Sequence, residues 1–266
     1  MAASKQTALS GLGLAIATLA AIVGTLLVNT LSNFIPPGGQ NVGEIANSVL
    51  AGVLITPANY AFAIWGLIYV GLIAYGIYQL GPQQRQDQAI RRVSWFVIVA
   101  CVAQIIWIFL FTLQLFSLSI LAMLGILVPL IGAYLTLRTG KPAVNRQRRW
   151  FACYPFSIYL AWISVATIVN IASALYAVNW SGWGLTGVAW TVTMIVLSAM
   201  IAALVLLRHS DVPFTLIFVW AYGAIAARHP DIALIWITAT IAAVFLLTGT
   251  VILLVSRQRL TTPRSK

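Results

Sequence analysis

Acidic side chains are nearly missing from this chain: four Asp and Glu stand against fifteen Lys and Arg in 266 residues. Charged residues of both signs make up only 7%, hydrophobic ones 61%, and the mean hydropathy is +0.98. A water-soluble domain of this length does not carry such a composition, so the chain reads as an all-α integral membrane protein. No apolar span holds Asp, Glu, Lys or Arg in its middle third. That argues against proton pumps and ion-coupled carriers, which need a buried ionisable group. The two cysteines, Cys101 and Cys153, lie inside apolar segments without a CxxC or a histidine nearby, and so indicate neither a disulfide framework nor a metal site. Both histidines, His209 and His229, fall at span borders, and no HExxH, GxSxG or P-loop occurs. General acid–base chemistry has little to work with, and the expectation is a protein that is not an enzyme. The net charge of +11 sits between apolar runs rather than on a patch, so it implies contact with anionic lipid headgroups and no nucleic-acid partner.

What is present is a succession of apolar runs. The first covers about residues 8–32 and is longer than a signal-peptide core. Pro36-Pro37-Gly38-Gly39 ends it and opens a loop whose only charge is Glu44. A second span is predicted from Thr56-Pro57, with the proline in its first turn, to about Leu80. The run from Trp95 to about Leu137 exceeds what one helix needs for a hydrocarbon core of roughly 30 Å, so it divides in two, with a turn within Thr112–Ser119. A fifth span covers about Trp150–Tyr176, and three more are predicted at about 187–207, 212–227 and 232–256. The expected domain organisation is therefore 1–176 as a five-helix core and 177–266 as a three-helix extension.

Charge counting orients this eight-helix reading. With the N-terminus cytoplasmic, the inward segments hold one, three, five, one and four basic residues, 14 of the 15. Only Arg228 falls outside, which predicts that both termini are cytoplasmic.

Tryptophan is the abundant special residue, with ten copies. Trp95, Trp150, Trp180, Trp183 and Trp190 lie near span ends and fit an interfacial belt. Trp65, Trp107 and Trp162 sit deep, where an indole N–H needs a partner. At about 100° per residue, Tyr159, Trp162, Ala166 and Asn170 fall within roughly 80° of one another. They form a polar and aromatic stripe with an alanine in its middle. Such a stripe is either the wall of a pocket or a seam packing one helix on another.

Tyr159-Leu-Ala-Trp162-Ile-Ser-Val-Ala166-Thr167-Ile-Val-Asn170 resembles the last core helix of the TspO/MBR family, the tryptophan-rich sensory proteins. Thr56-Pro57-Ala-Asn-Tyr60-Ala-Phe62-Ala-Ile-Trp65-Gly-Leu-Ile-Tyr69 is similar to that family's second helix. Ile158 stands where the family has proline, Asn59 where tryptophan is usual, and the third helix keeps only Gln104 and Trp107 of its asparagine-tryptophan cluster. The resemblance implies a five-helix membrane bundle, commonly a homodimer, that binds porphyrin, haem or another planar lipophile, with a sensory or trafficking role and no required cofactor.

A tetrapyrrole is a flat apolar disc with carboxylates at one edge, so its site needs stacking indoles, a small residue and donors near the mouth. Trp65, Trp107, Tyr159 and Trp162 offer aromatic faces, Ala166 offers room, and Tyr69, Gln104 and Asn170 offer polar contacts. Two other readings stay open, a solute transporter of another class and a structural membrane protein whose tryptophans only pack.

Overall fold

Helix ends in this chain are set by capping side chains and by prolines, and they differ from the edges of the apolar runs for that reason. The computed structural model describes residues 11–138 and 145–261. Lys5, Lys141, Arg264 and Lys266, which enter the charge count, lie outside the described residues. Among the described residues the regular elements are all helical.

Helix α1 (Leu12–Phe34) ends before the double proline and buries Ala15, Thr18, Ile22, Thr25 and Ser32. The Thr18 and Thr25 hydroxyls donate to carbonyls one turn back, Leu14 and Ala21, so this polar face needs no water. Glu44 closes a capping box on the short α2 (Val42–Asn47): its carboxylate accepts from the Asn41 N–H at 2.8 Å, and the Asn41 side chain accepts from the Glu44 N–H. Gly38 lies so close to the backbone at Thr112 that a Cβ there would stand 1.8 Å from the Thr112 carbonyl oxygen.

The second span starts later than its sequence predicts. Pro57 precedes it, Asn59–Ala63 is a 3-10 helix, and α3 runs Ile64–Tyr78. Ahead of it the Pro57 carbonyl accepts from Arg228 and the Ala58 N–H donates to the Ala224 carbonyl, so the backbone of this stretch is paired outside α3. After α4 (Pro82–Gln86), α5 (Gln88–Thr112) begins well before Trp95, because Asp87 accepts from the Ala89 and Ile90 N–H groups and makes the polar turn helical. The turn to α6 (Phe116–Arg138) is Leu113–Leu115, inside the expected window, with Gln114 at φ +59°. Close approach of α5 and α6 depends on glycine: a Cβ on Gly125 would lie 3.1 Å from Ala103, and one on Gly132 would lie 2.8 Å from the Phe96 ring.

Helix α7 spans Arg146–Ala177, with a π-helical turn at Arg149–Cys153 just ahead of Pro155. Proline has no N–H to give and its ring crowds the preceding turn, and the wider turn accommodates both. The remaining helices are α8 (Gly187–His209), α9 (Val212–Arg228) and α10 (Ala233–Thr261). The link from α7 to α8 holds Asn179, Gly182, Trp183 and Gly184 at positive φ, and the Trp190 indole donates to the Gly182 carbonyl at 2.8 Å.

Among the described residues seven helical spans are long and apolar enough to cross a membrane, α3 reaching that length together with the 3-10 turn ahead of it (Asn59–Tyr78), and α9, at 17 residues, falls short. At 1.5 Å per residue α9 reaches about 25 Å, near the lower limit for crossing the hydrocarbon core. The chain is an all-α integral membrane protein with several passes. Its described residues group into two units. One draws on Met1–Ala51 and Ala63–Asn179, the other on Gly52–Phe62 and Trp180–Lys266. Gly52–Phe62 thus packs with α8 to α10 although it precedes α3 in the chain.

Candidate ligand site

Within the first unit the polar side chains of the apolar helices are brought together in two networks. Trp65 and Tyr69 are one turn apart on α3, with their rings stacked at 5.6 Å. Behind them stands Gln104 of α5. Its amide nitrogen donates to the Tyr69 hydroxyl at 3.0 Å, and its amide oxygen accepts from the hydroxyl of Tyr159 on α7. The Tyr159 ring also meets Trp65 edge-on at 6.2 Å. One carboxamide therefore ties three helices through two phenols. In a medium without water an unpaired amide costs about 1–3 kcal/mol, which makes this pairing decisive for helix register.

The second network joins α5, α6 and α7. The Trp107 indole N–H donates to the Asn170 side-chain oxygen at 2.8 Å, and the Asn170 nitrogen donates to Ser119 Oγ at 3.0 Å. The Ser119 hydroxyl donates to the Phe116 carbonyl at 2.7 Å. Trp107 stacks on Phe111 at 5.0 Å. Trp162 is buried and Ala166 half-buried on α7.

A groove of about 840 Å³ runs between α1 and α3. That volume is in the range of small-molecule sites, roughly 300–1,000 Å³. Trp65, Gly66 and Tyr69 form part of one wall, and Asn29, Thr30 and Asn33 are the polar residues of the other. Gly66 leaves its wall open, since a Cβ there would meet nothing within 4 Å. No charged side chain lines the groove.

Of the eight residues singled out in the sequence, Trp65 and Tyr69 line the groove. Gln104 and Tyr159 stand in the network behind Tyr69, and Trp107 and Asn170 in the other. Trp162 and Ala166 belong to the same helix but not to the groove lining. Sequence reasoning passed over Asn29, Asn33 and Ser119. The first two had a signal, two amides four apart on one face of an apolar helix. Ser119 had none, because its partner is 51 residues away.

A family model described as TSPO-like protein matches residues 15–252. The chain belongs to the TSPO-like family. None of the curated proteins and none of the solved structures matches it. The family match continues past residue 176 through α8 and α9 and into α10. As a TSPO-like chain it carries no group of three or more His, Cys, Asp or Glu placed to hold a metal ion among the described residues.

Proposed function

We propose that this TSPO-like membrane protein binds a planar lipophilic ligand, a porphyrin or haem foremost, in the groove between α1 and α3. Its role is sensing or trafficking of that ligand rather than catalysis. The observation that carries this reading is the groove itself, sized for a small molecule, with a stacked indole and phenol on one wall and amides on the other. Because no cation is among its lining residues, the carboxylates of a tetrapyrrole would have to lie beyond the end of the groove at Asn33 and Phe34, where α1 ends, while the ring lies against Trp65. Residues of the other helices serve as backing: Gln104 holds the Tyr69 hydroxyl and Tyr159 meets the edge of Trp65.

The polar stripe of α7 favours a second role for its own residues. Tyr159 and Asn170 are hydrogen-bonded to other helices and buried, which supports a seam rather than a free wall. The test is quenching of tryptophan fluorescence by protoporphyrin IX in detergent. Gly66→Leu, pointing into the groove, should weaken saturable binding. Covering roughly 60–100 Å² of wall at about 25 cal/mol/Å² costs about 1.5–2.5 kcal/mol, or tenfold to seventyfold in Kd. Ala166→Phe should change it by less than about threefold, under 1 kcal/mol. No saturable quenching in the wild type, or equal affinity in Gly66→Leu, would reject the groove. A large loss in Ala166→Phe alone would return the ligand to the α7 stripe. We further propose that α9 crosses the membrane, giving eight passes and two cytoplasmic termini, as the charge distribution of the loops suggests.

A further inference from the structure

Within the first unit two phenols share one carboxamide, and each proton along that line must end somewhere. Tyr159 on α7 is 1% exposed, and among the described residues its hydroxyl has a single hydrogen-bond partner, the side chain of Gln104. From the other side the Tyr69 hydroxyl meets the same side chain at 3.0 Å. A carboxamide has an acceptor end and a donor end, so the two phenols cannot play the same part.

Turning the amide over exchanges its oxygen and nitrogen without moving any other group, so energy decides between the two orientations. With the nitrogen toward Tyr159, that hydroxyl would accept, and its own proton would be left in an apolar interior with no acceptor among the described residues. An orphaned donor at that depth is costly. With the nitrogen toward Tyr69, as the structure has it, Tyr159 donates to the amide oxygen and Tyr69 accepts from the amide nitrogen. The proton left over is then that of Tyr69. Tyr69 lines the groove between α1 and α3, where a bound molecule can take it.

The phenol is also held in place, since Trp65 stacks on its ring and Gln104 fixes its oxygen. On the facing wall Asn29 is half-buried, and its side chain makes no hydrogen bond among the described residues. That amide can turn to donate or to accept, whereas Tyr69 is committed to donating. Hydrocarbon laid against Tyr69 leaves its O–H unpaired, and a carbonyl oxygen pairs it; sites built around a buried donor discriminate on that difference.

We propose that Tyr69 is a specificity-determining residue of the groove: its hydroxyl, kept as a donor by the Gln104–Tyr159 pairing, selects planar lipophiles that carry a carbonyl on the ring edge over those that present only hydrocarbon there. This selection rests on the groove reading given above.

The test titrates the full chain in detergent with two porphyrins of nearly equal size, followed by quenching of tryptophan fluorescence. One is diacetyldeuteroporphyrin IX; the other is mesoporphyrin IX, which has ethyl groups at the same two positions. The deciding quantity is the ratio of their dissociation constants, because their different partition into detergent is the same for every protein variant. Tyr69→Phe should shift that ratio against the diacetyl form by about threefold to tenfold relative to wild type. Asn29→Ala combined with Thr30→Val, which removes donors of the α1 wall, should leave it unchanged. An unchanged ratio in Tyr69→Phe overturns the selection, and so does an equal shift in the α1 variant, which would place the donor there. If Tyr69→Phe does not accumulate as folded protein, infrared spectra of the bound diacetyl form carry the test. Its acetyl C=O stretch should lie below its position in a dry apolar solvent, in wild type and in the α1 variant alike. An unlowered stretch, or one that the α1 variant restores, overturns the selection. Gly66→Leu keeps the two claims apart. If it weakens both porphyrins while the ratio is insensitive to Tyr69, the groove stands and the selection falls; if it weakens neither, or neither quenches saturably in wild type, the groove reading falls and the selection with it.

Discussion

Replacing Asn170 by alanine removes two interhelical hydrogen bonds at once, the acceptor of the Trp107 indole and the donor to Ser119. Polar contacts between membrane helices average about 0.6 kcal/mol, with a maximum near 1.7, because the unfolded chain finds other partners within the bilayer. Two such bonds give about 1.2 kcal/mol. The buried indole is then left without its acceptor, and an orphaned donor costs about 1–3 kcal/mol, which moves the expectation upward. We therefore expect Asn170→Ala to lower stability by about 1–2 kcal/mol. Ser119→Ala should cost less, because Asn170 keeps its bond from Trp107. The two changes should couple by at least about 0.5 kcal/mol, since each removes a partner of the other. The assay is a denaturation series in mixed micelles followed by far-ultraviolet circular dichroism, on wild type, both single variants and the double variant. A loss below about 0.3 kcal/mol for Asn170→Ala, or strictly additive variants, would refute the claim that this network ties α5, α6 and α7 together.

Gly38→Ala places a methyl group where the Thr112 carbonyl already stands, so the loop before α2 must move. We expect a loss of about 1–3 kcal/mol in the same titration, and a variant as stable as wild type would show that the loop does not pack there. Burial and the neighbouring Arg228 charge hold the His229 pKa below its ordinary value, while the bond to Leu54 works the other way. The folded state thus disfavours the imidazolium, so this contribution is present above pH of about 6.5 and is lost as pH falls through it. Proteolytic cleavage within residues 54–61 should rise between about pH 7.5 and 5.5 in wild type and stay flatter in His229→Gln, and identical profiles would contradict this segment's dependence on that side chain. Single cysteines at Gln40, Gln86, Asn145 and Ser181, in a chain lacking Cys101 and Cys153, should label from outside, inside, inside and outside; reagent reaching Gln86 from outside would reverse the proposed topology.

Much of this protein follows from local sequence alone. Apolar run length and the Leu113–Leu115 turn separate the helices, Asp87 and Asn41 supply caps, and Pro155 leaves its mark in the π turn ahead of it. The spacing of Trp65 from Tyr69, and of Tyr159 from Asn170, is likewise helical periodicity, and two motifs in order carried the family resemblance. Partners could not be read this way. That Gln104 reaches both Tyr69 and Tyr159, that Asn170 finds Ser119, and that the open groove lies between α1 and α3 depend on how far each helix is shifted and rotated against its neighbours. The partners of the stretch ahead of α3 belong to the same class, since Pro57 and Ala58 form bonds to Arg228 and Ala224, which lie far along the chain. A helix records its own period in every few residues, whereas its rotation against another helix is a single global quantity, decided only when all the buried polar groups must find partners together.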